Sequence, residues 1–157
     1  MLMARTRSRI VKSAFFASAL LAFSPPTWAG YDDAIKAYEG GMFAQALTEF
    51  KSLAQGGHPA AQFQLGRMYQ TGDGTTPNMT EALKWYRQSA EQNNAQAQYA
   101  LGLLYDQGHG VKASPAEAFK WFRKAADQND PQAQFTVGYM FQNGSGVKKD
   151  GPEALKW

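Results

Sequence analysis

The chain has 157 residues and no cysteine, which excludes disulfides, thiolate metal sites and a lipid-anchored cysteine. Its formal charge of +3 resides at the N-terminus: Arg5, Arg7, Arg9 and Lys12 lie in the first 29 residues, which hold no acidic side chain. The sixteen basic residues less those four leave twelve against thirteen acidic ones, a net charge of −1 that points away from nucleic acid and anionic membrane surfaces.

Residues 1–29 read as a cleaved secretory signal peptide. A basic start precedes an apolar run from Ala14 to Phe23, then Pro25, Pro26 and the small-residue site Thr27-Trp28-Ala29. The run is about half of the roughly 20 apolar residues a spanning helix needs, so stable membrane insertion is not expected. An Arg- and Ser-rich organellar transit peptide is the competing reading. Export to a bacterial periplasm, or secretion, is the expectation.

Residues 30–57 carry a looser pattern. Ala34, Ala37 and Tyr38 mark a short first helix, Gly40-Gly41 turns the chain, and Phe43, Ala46, Leu47, Phe50 and Ala54 mark a second. From there the chain repeats. Leu65-Gly66 becomes Leu101-Gly102 and then Val137-Gly138, each step 36 residues, and the same interval carries Trp85 to Trp121 to Trp157. A fixed period of this length marks a helical repeat array. The units expected are 58–93, 94–129 and 130–157, the last incomplete, with 30–57 as a divergent first repeat.

Each unit carries helix punctuation. The first helix follows His58, Asn94 or Asp130, with Pro59 and Pro131 at the position where a missing N–H costs nothing. The second starts at Asn78, Ser114 or Asp150, with Glu81, Glu117 or Glu153 three residues on; for Ser114 and Glu117 that is a capping box. Gly-x-Gly segments (Gly72 to Gly74, Gly108 to Gly110, Gly144 to Gly146) stand where a helix ends in a left-handed residue. Ala61, Leu65, Met68 and Tyr69 fall on one helical stripe, with counterparts in the next two units, and form a core that only stacking can bury. Gly66, Gly102 and Gly138 interrupt helices at about 1 kcal/mol each relative to Ala, which predicts close approach of the paired helix beneath the Trp85 or Trp121 ring.

The strings "AQFQLGRMYQTGDG", "AQYALGLLYDQGHGV" and "AQFTVGYMFQNGSGV", followed by "EALKWYRQSA", "EAFKWFRKAA" and "EALKW", resemble the Sel-1-like repeat, a relative of the tetratricopeptide repeat. The resemblance covers residues 58 to 157. It implies an all-α fold, a right-handed α-solenoid of stacked antiparallel helix pairs whose first helices line a concave groove for protein–protein contact. Some exported, cysteine-rich members of the family are linked to β-lactam binding or hydrolysis; this chain lacks their cysteines.

The residues supply little for catalysis, so no enzyme activity, cofactor or metal is expected. His58 aligns with Asn94 and Asp130 at a helix start, and His109 with Asp73 and Ser145 in a loop; two such histidines make a poor metal site. The Gly-x-Gly turns follow a helix, whereas a dinucleotide-binding turn follows a strand. Trp85 and Trp121 are expected in the core, and Lys84, Arg87, Lys120, Arg123 and Lys124 on a solvated outer face.

Binding should come from positions that vary while the framework repeats: Arg67, Leu103 and Tyr139; Gln70, Asp106 and Gln142; Thr71, Gln107 and Asn143. With Phe63, Tyr99 and Phe135 they make the expected groove. Two uses are open: a scaffold or regulator that holds a partner protein or peptide, or a module that stacks glycan or peptidoglycan fragments on Phe63, Tyr99, Phe135 and Tyr139. A mixed polar groove favours the first and a continuous exposed aromatic strip the second. The last helix being short, the C-terminal edge is expected to expose Val137, Met140 or Phe141 to self-association.

Overall fold

A computed structural model describes residues 30–157; the expected signal segment lies outside the described residues. Eight helices follow in chain order: α1 Tyr31–Glu39, α2 Phe43–Gln55, α3 Pro59–Thr71, α4 Met79–Glu91, α5 Ala95–Gln107, α6 Pro115–Ala126, α7 Pro131–Asn143 and α8 Gly151–Lys156. Each packs against the next along the chain, which is the α-solenoid the period predicts. Among the described residues all regular structure is helical.

The caps explain the punctuation. His58, Asn94 and Asp130 each accept a side-chain hydrogen bond from the N–H three residues on, as do Asn78, Ser114 and Asp150. The reciprocal half of the capping box is replaced. The Ser114 N–H donates to the Tyr105 carbonyl at 2.8 Å, so Glu117 turns forward and pairs with Lys120 at 2.5 Å. Glu81 with Lys84 and Glu153 with Lys156 do likewise. These acids therefore sit favourably at a helix N-terminus and neutralise the outer face.

The helix glycines mark close approach, but under a different ring. A Cβ on Gly66 would lie 2.7 Å from the Tyr86 ring, and one on Gly102 2.6 Å from Phe122. Trp85 and Trp121 sit one residue, and so about 100°, away on their helices. Trp85 packs instead with Phe50, Leu65 and Met68, and Trp121 lies against Ala90, Ala97 and Leu101. Each Trp thus sits at the seam between its own first helix and the preceding repeat, while the next residue covers the glycine. The loop glycines bind repeats together as well: Gly74, at φ +73°, would place a Cβ 2.6 Å from the Phe43 carbonyl oxygen of α2.

A ladder of buried amides runs through the stack. Gln62 and Gln98 are 4% and 2% exposed, and each donates to the carbonyl of the residue eight before it, Ala54 or Ala90, at 3.1 Å. Each accepts in turn from a glutamine of the following turn, Gln92 at 2.6 Å or Gln128 at 2.7 Å. Gln134 makes the same backbone bond at a longer 3.4 Å. Glutamines can lie in this core because their amides are satisfied.

The edge expectation needs correction. Val137, Met140 and Phe141 are buried, packed between α6 and α7 on the inner side of the last unit. The exposed apolar side chains there are Phe135, Tyr139 and Leu155.

Candidate functional site: a cleft between successive first helices

The varying positions separate into three groups. Phe63, Arg67 and Gln70 of α3 meet Tyr99 and Leu103 of α5 in one cleft of about 290 Å³. Phe135, Tyr139 and Gln142 line a second, larger hollow of about 780 Å³ at the C-terminal edge. Thr71, Asp106, Gln107 and Asn143 are exposed at helix ends and line neither. Thr71 lies 3.0 Å from the Arg67 carbonyl and 2.7 Å from Asp73, and Asn143 donates to the Tyr139 carbonyl, so both side chains are spent locally.

Sequence reading missed half of the cleft. Tyr86 closes it from below, Gln96 and Ala100 extend the α5 wall, and Asp130 and Gln132 reach in from the start of α7. The signal for Tyr86 was present, as the aromatic that follows Trp85 and, one period later, Trp121. Nothing local in the sequence signals Asp130 and Gln132, which arrive through the curvature of the stack.

The floor is aromatic and held in place. The Phe63 and Tyr86 ring centroids are 5.8 Å apart, and those of Tyr99 and Phe122 5.3 Å. Phe63 and Tyr99 are thus half-buried, with one face given to a framework ring. Burial pushes the Tyr86 hydroxyl well above its ordinary range, so it stays protonated and donates to Gln70 Oε1 at 2.7 Å. Arg67 stands over Phe63 at 6.0 Å and bonds Gln64 at 3.2 Å, leaving its remaining N–H groups toward the opening. Asp130, whose carboxylate accepts from the Ala133 N–H at 2.8 Å, supplies the opposite charge on the far rim. The cleft can therefore bury an apolar side chain and pair both charge signs.

The histidines stay structural. His58 Nδ1 caps α3, accepting from the Ala61 N–H at 3.3 Å, and its ring stacks on Tyr31 at 4.6 Å; burial lowers its pKa. His109 is exposed in its loop. Asp73, in the equivalent loop, accepts from Thr71 and from the Tyr38 hydroxyl at 2.7 Å each, and these bonds hold its carboxyl below the usual range. Among the described residues no cluster of three or more acidic, histidine or cysteine side chains could hold a metal ion.

Three solved structures share this architecture. A Sel1 repeat protein from Oxalobacter formigenes is 39% identical, with a TM-score of 0.77 over 80% of this chain and 51% of its own. A protective antigen of uropathogenic Escherichia coli strains, displaying an SLR fold, is 36% identical, with a TM-score of 0.71 over 73% of this chain and 25% of its own. Cysteine rich protein B of Helicobacter pylori is 22% identical, with a TM-score of 0.53 over 79% of this chain and 82% of its own, a likeness of fold alone. The chain thus spans about half of the first relative and a quarter of the second. No curated protein matches it. The Sel1 repeat matches residues 59–94, 95–130 and 131–157, and with its 36-residue period, capped helix pairs and ring-covered glycines the chain belongs to the Sel1 repeat family.

Proposed function

We propose that this protein is a non-enzymatic scaffold or regulator, exported to the cell envelope, that grips an extended segment of a partner protein in the α3–α5 cleft. The Sel1 repeat fold is typical of protein–protein interaction scaffolds, which supports the general class. The observation that carries the reading is the cleft's make-up: a pinned aromatic floor beneath Arg67, Gln70 and Asp130, at positions that differ among the repeats. The glycan alternative asks for a continuous exposed aromatic strip. Phe63 and Tyr99 spend a face on Tyr86 and Phe122, which breaks that strip after Phe135 and Tyr139. Export rests on the basic-then-apolar N-terminus; among the described residues no helix is long and apolar enough to cross a membrane.

The test is affinity capture from the organism's own envelope. Arg67→Ala with Leu103→Ala should reduce recovery of the partner roughly tenfold or more, as buried anchor residues do. Its helical melt should change little. Lys84→Ala with Lys120→Ala on the second helices should leave recovery intact. Loss of the partner with the lysine pair, and its retention with the cleft pair, would place binding on the outer face and defeat the proposal.

A further inference from the structure

Two charges in the α3–α5 cleft are not required by the helices that carry them. Asp130 caps α7 by accepting from the Ala133 N–H at 2.8 Å, yet Asn94 caps α5 at 2.9 Å and His58 caps α3 at 3.3 Å without a negative charge. The helix dipole favours an acid at all three starts alike, and of the three only the one that reaches the cleft has it. Arg67 likewise stands where the next two first helices have Leu103 and Tyr139. The chain's own contacts leave both charges unspent. Among the described residues neither Arg67 nor Asp130 enters an ion pair, with the other or with any third group.

The two rims also differ in hydrogen-bonding sense. Tyr86 donates to Gln70 Oε1 at 2.7 Å, which leaves Nε2 of that amide, a donor, for an occupant. Gln70 lies one turn from Arg67 on the same face of α3, and Arg67 gives one N–H to Gln64, so this rim presents donors around a positive charge. Asp73, beyond the end of the same helix, is held by the Thr71 and Tyr38 hydroxyls instead. Asp130 spends one carboxylate oxygen on its cap, so the α7 rim presents the other as an acceptor with negative charge. Between the rims lie Phe63, Tyr99 and Leu103, apolar and half-buried.

We infer that the cleft selects an extended segment in which an acidic and a basic side chain flank an apolar one, the acid meeting Arg67 and Gln70, the apolar group the floor, and the base Asp130. This rests on the cleft reading proposed above and adds the chemistry of the occupant. An extended chain suits the order, because successive side chains point to opposite faces. The central one enters while its long-armed neighbours stay at the level of the rims. An aromatic centre suits the floor best, since Phe63 and Tyr99 each keep one ring face free of Tyr86 and Phe122. One cation opposite one anion gives no purchase to a polyanion, which sets nucleic acid aside. A second copy of the chain offers no extended segment among the described residues, which are helices and the short loops between them.

The probe is the synthetic peptide acetyl-Gly-Glu-Phe-Lys-Gly-amide, titrated into the full chain and followed by backbone amide chemical shifts. Saturable shifts at Arg67, Tyr99 and Gln132 are expected, and replacing the peptide's Phe by Ala should weaken binding roughly tenfold, as for a central aromatic anchor. Replacing its Glu by Gln should weaken binding roughly two- to fivefold, as partly exposed charge pairs do, and should change nothing on an Arg67→Gln chain. Replacing its Lys by Gln should act in the same way, with the effect lost on an Asp130→Asn chain, which keeps the kind of cap that Asn94 supplies. A peptide with Gln at both flanks that shifts the same residues with equal affinity overturns the charge pattern and leaves the cleft standing. Charge effects that persist on the Arg67→Gln or Asp130→Asn chain overturn it as well. So does absence of saturable binding, or shifts confined to residues outside the cleft; the cleft itself is then judged by the capture experiment with Arg67→Ala and Leu103→Ala.

Discussion

Gly102→Leu is expected to collapse the middle of the array, lowering the melting point by roughly 10 °C or more. A Cβ alone at this position would stand 2.6 Å from Phe122, whose side chain is 1% exposed and has no free space to retreat into. Overpacking a filled core typically costs about 1–3 kcal/mol and can exceed that, a large share of the 5–15 kcal/mol that holds an ordinary domain together. Two controls separate this contact from generic helix perturbation. Ala100→Leu, two residues earlier, points into the cleft beside α3 and should shift the melt by only a few degrees. Gly138→Ala meets no ring, so its tightest contact must yield by a few tenths of an ångström while the helix gains about 0.5–1 kcal/mol of propensity. It should be near neutral where Gly102→Ala destabilises. Circular dichroism melts decide the matter, and equal losses at Gly102 and Gly138 would refute the ring-contact account.

Gln98→Leu should be the most damaging replacement of a polar side chain. Its Nε2 donates to the Ala90 carbonyl at 3.1 Å and lies 3.2 Å from Asn93 Oδ1, and its Oε1 accepts from Gln128 at 2.7 Å. Leucine has similar bulk but removes all three bonds from a side chain only 2% exposed; the Ala90 carbonyl keeps the Asn93 N–H at 3.1 Å, and Asn93 and Gln128 can turn to water. Each intramolecular hydrogen bond contributes roughly 0.5–1.5 kcal/mol, so losing this set should cost about 1–3 kcal/mol in urea or guanidinium unfolding. Gln134→Leu tests the ladder idea. Gln134 is half-buried and its bond to Ala126 is longer, at 3.4 Å, so the same change there should cost less than about 1 kcal/mol. Equal costs at the two positions would mean that the amides are incidental.

These two residues also mark what could be read from the chain and what could not. The 36-residue period, the caps at His58, Asn94, Asp130, Asn78, Ser114 and Asp150, and the glycine close contacts all follow from local spacing and elementary helix geometry. Naming the ring over Gly102 required knowing which of two adjacent aromatics, Trp121 or Phe122, turns inward. Neighbouring helix positions differ by about 100°, so repetition alone cannot choose between two that both repeat. Gln62 and Gln98 went unremarked because a polar side chain reads as surface, and only the carbonyls of a preceding helix end reveal why they are buried. Asp130 and Gln132 enter the cleft from a third repeat, a juxtaposition set by how units stack. Val137, Met140 and Phe141 were expected at the open edge, but that stripe faces the preceding repeat. The outward face is the one that bears Phe135 and Tyr139.

The proposed recognition face is the cleft between α3 and α5, rimmed by Arg67 and Asp130. The framework that repeats supplies rigidity and cannot discriminate among partners, whereas Arg67, Leu103, Gln96 and Asp130 occur in one combination at one place.

Site-directed photo-cross-linking tests the cleft assignment most directly. A photoreactive residue at Gln96 or Gln132, both exposed on the cleft rim, should trap the captured partner in high yield. The same residue at Lys84 or Lys120 on the outer helices should trap none. Cross-links from Lys84 and Lys120, with none from Gln96 and Gln132, would contradict the assignment and put the partner on the convex face.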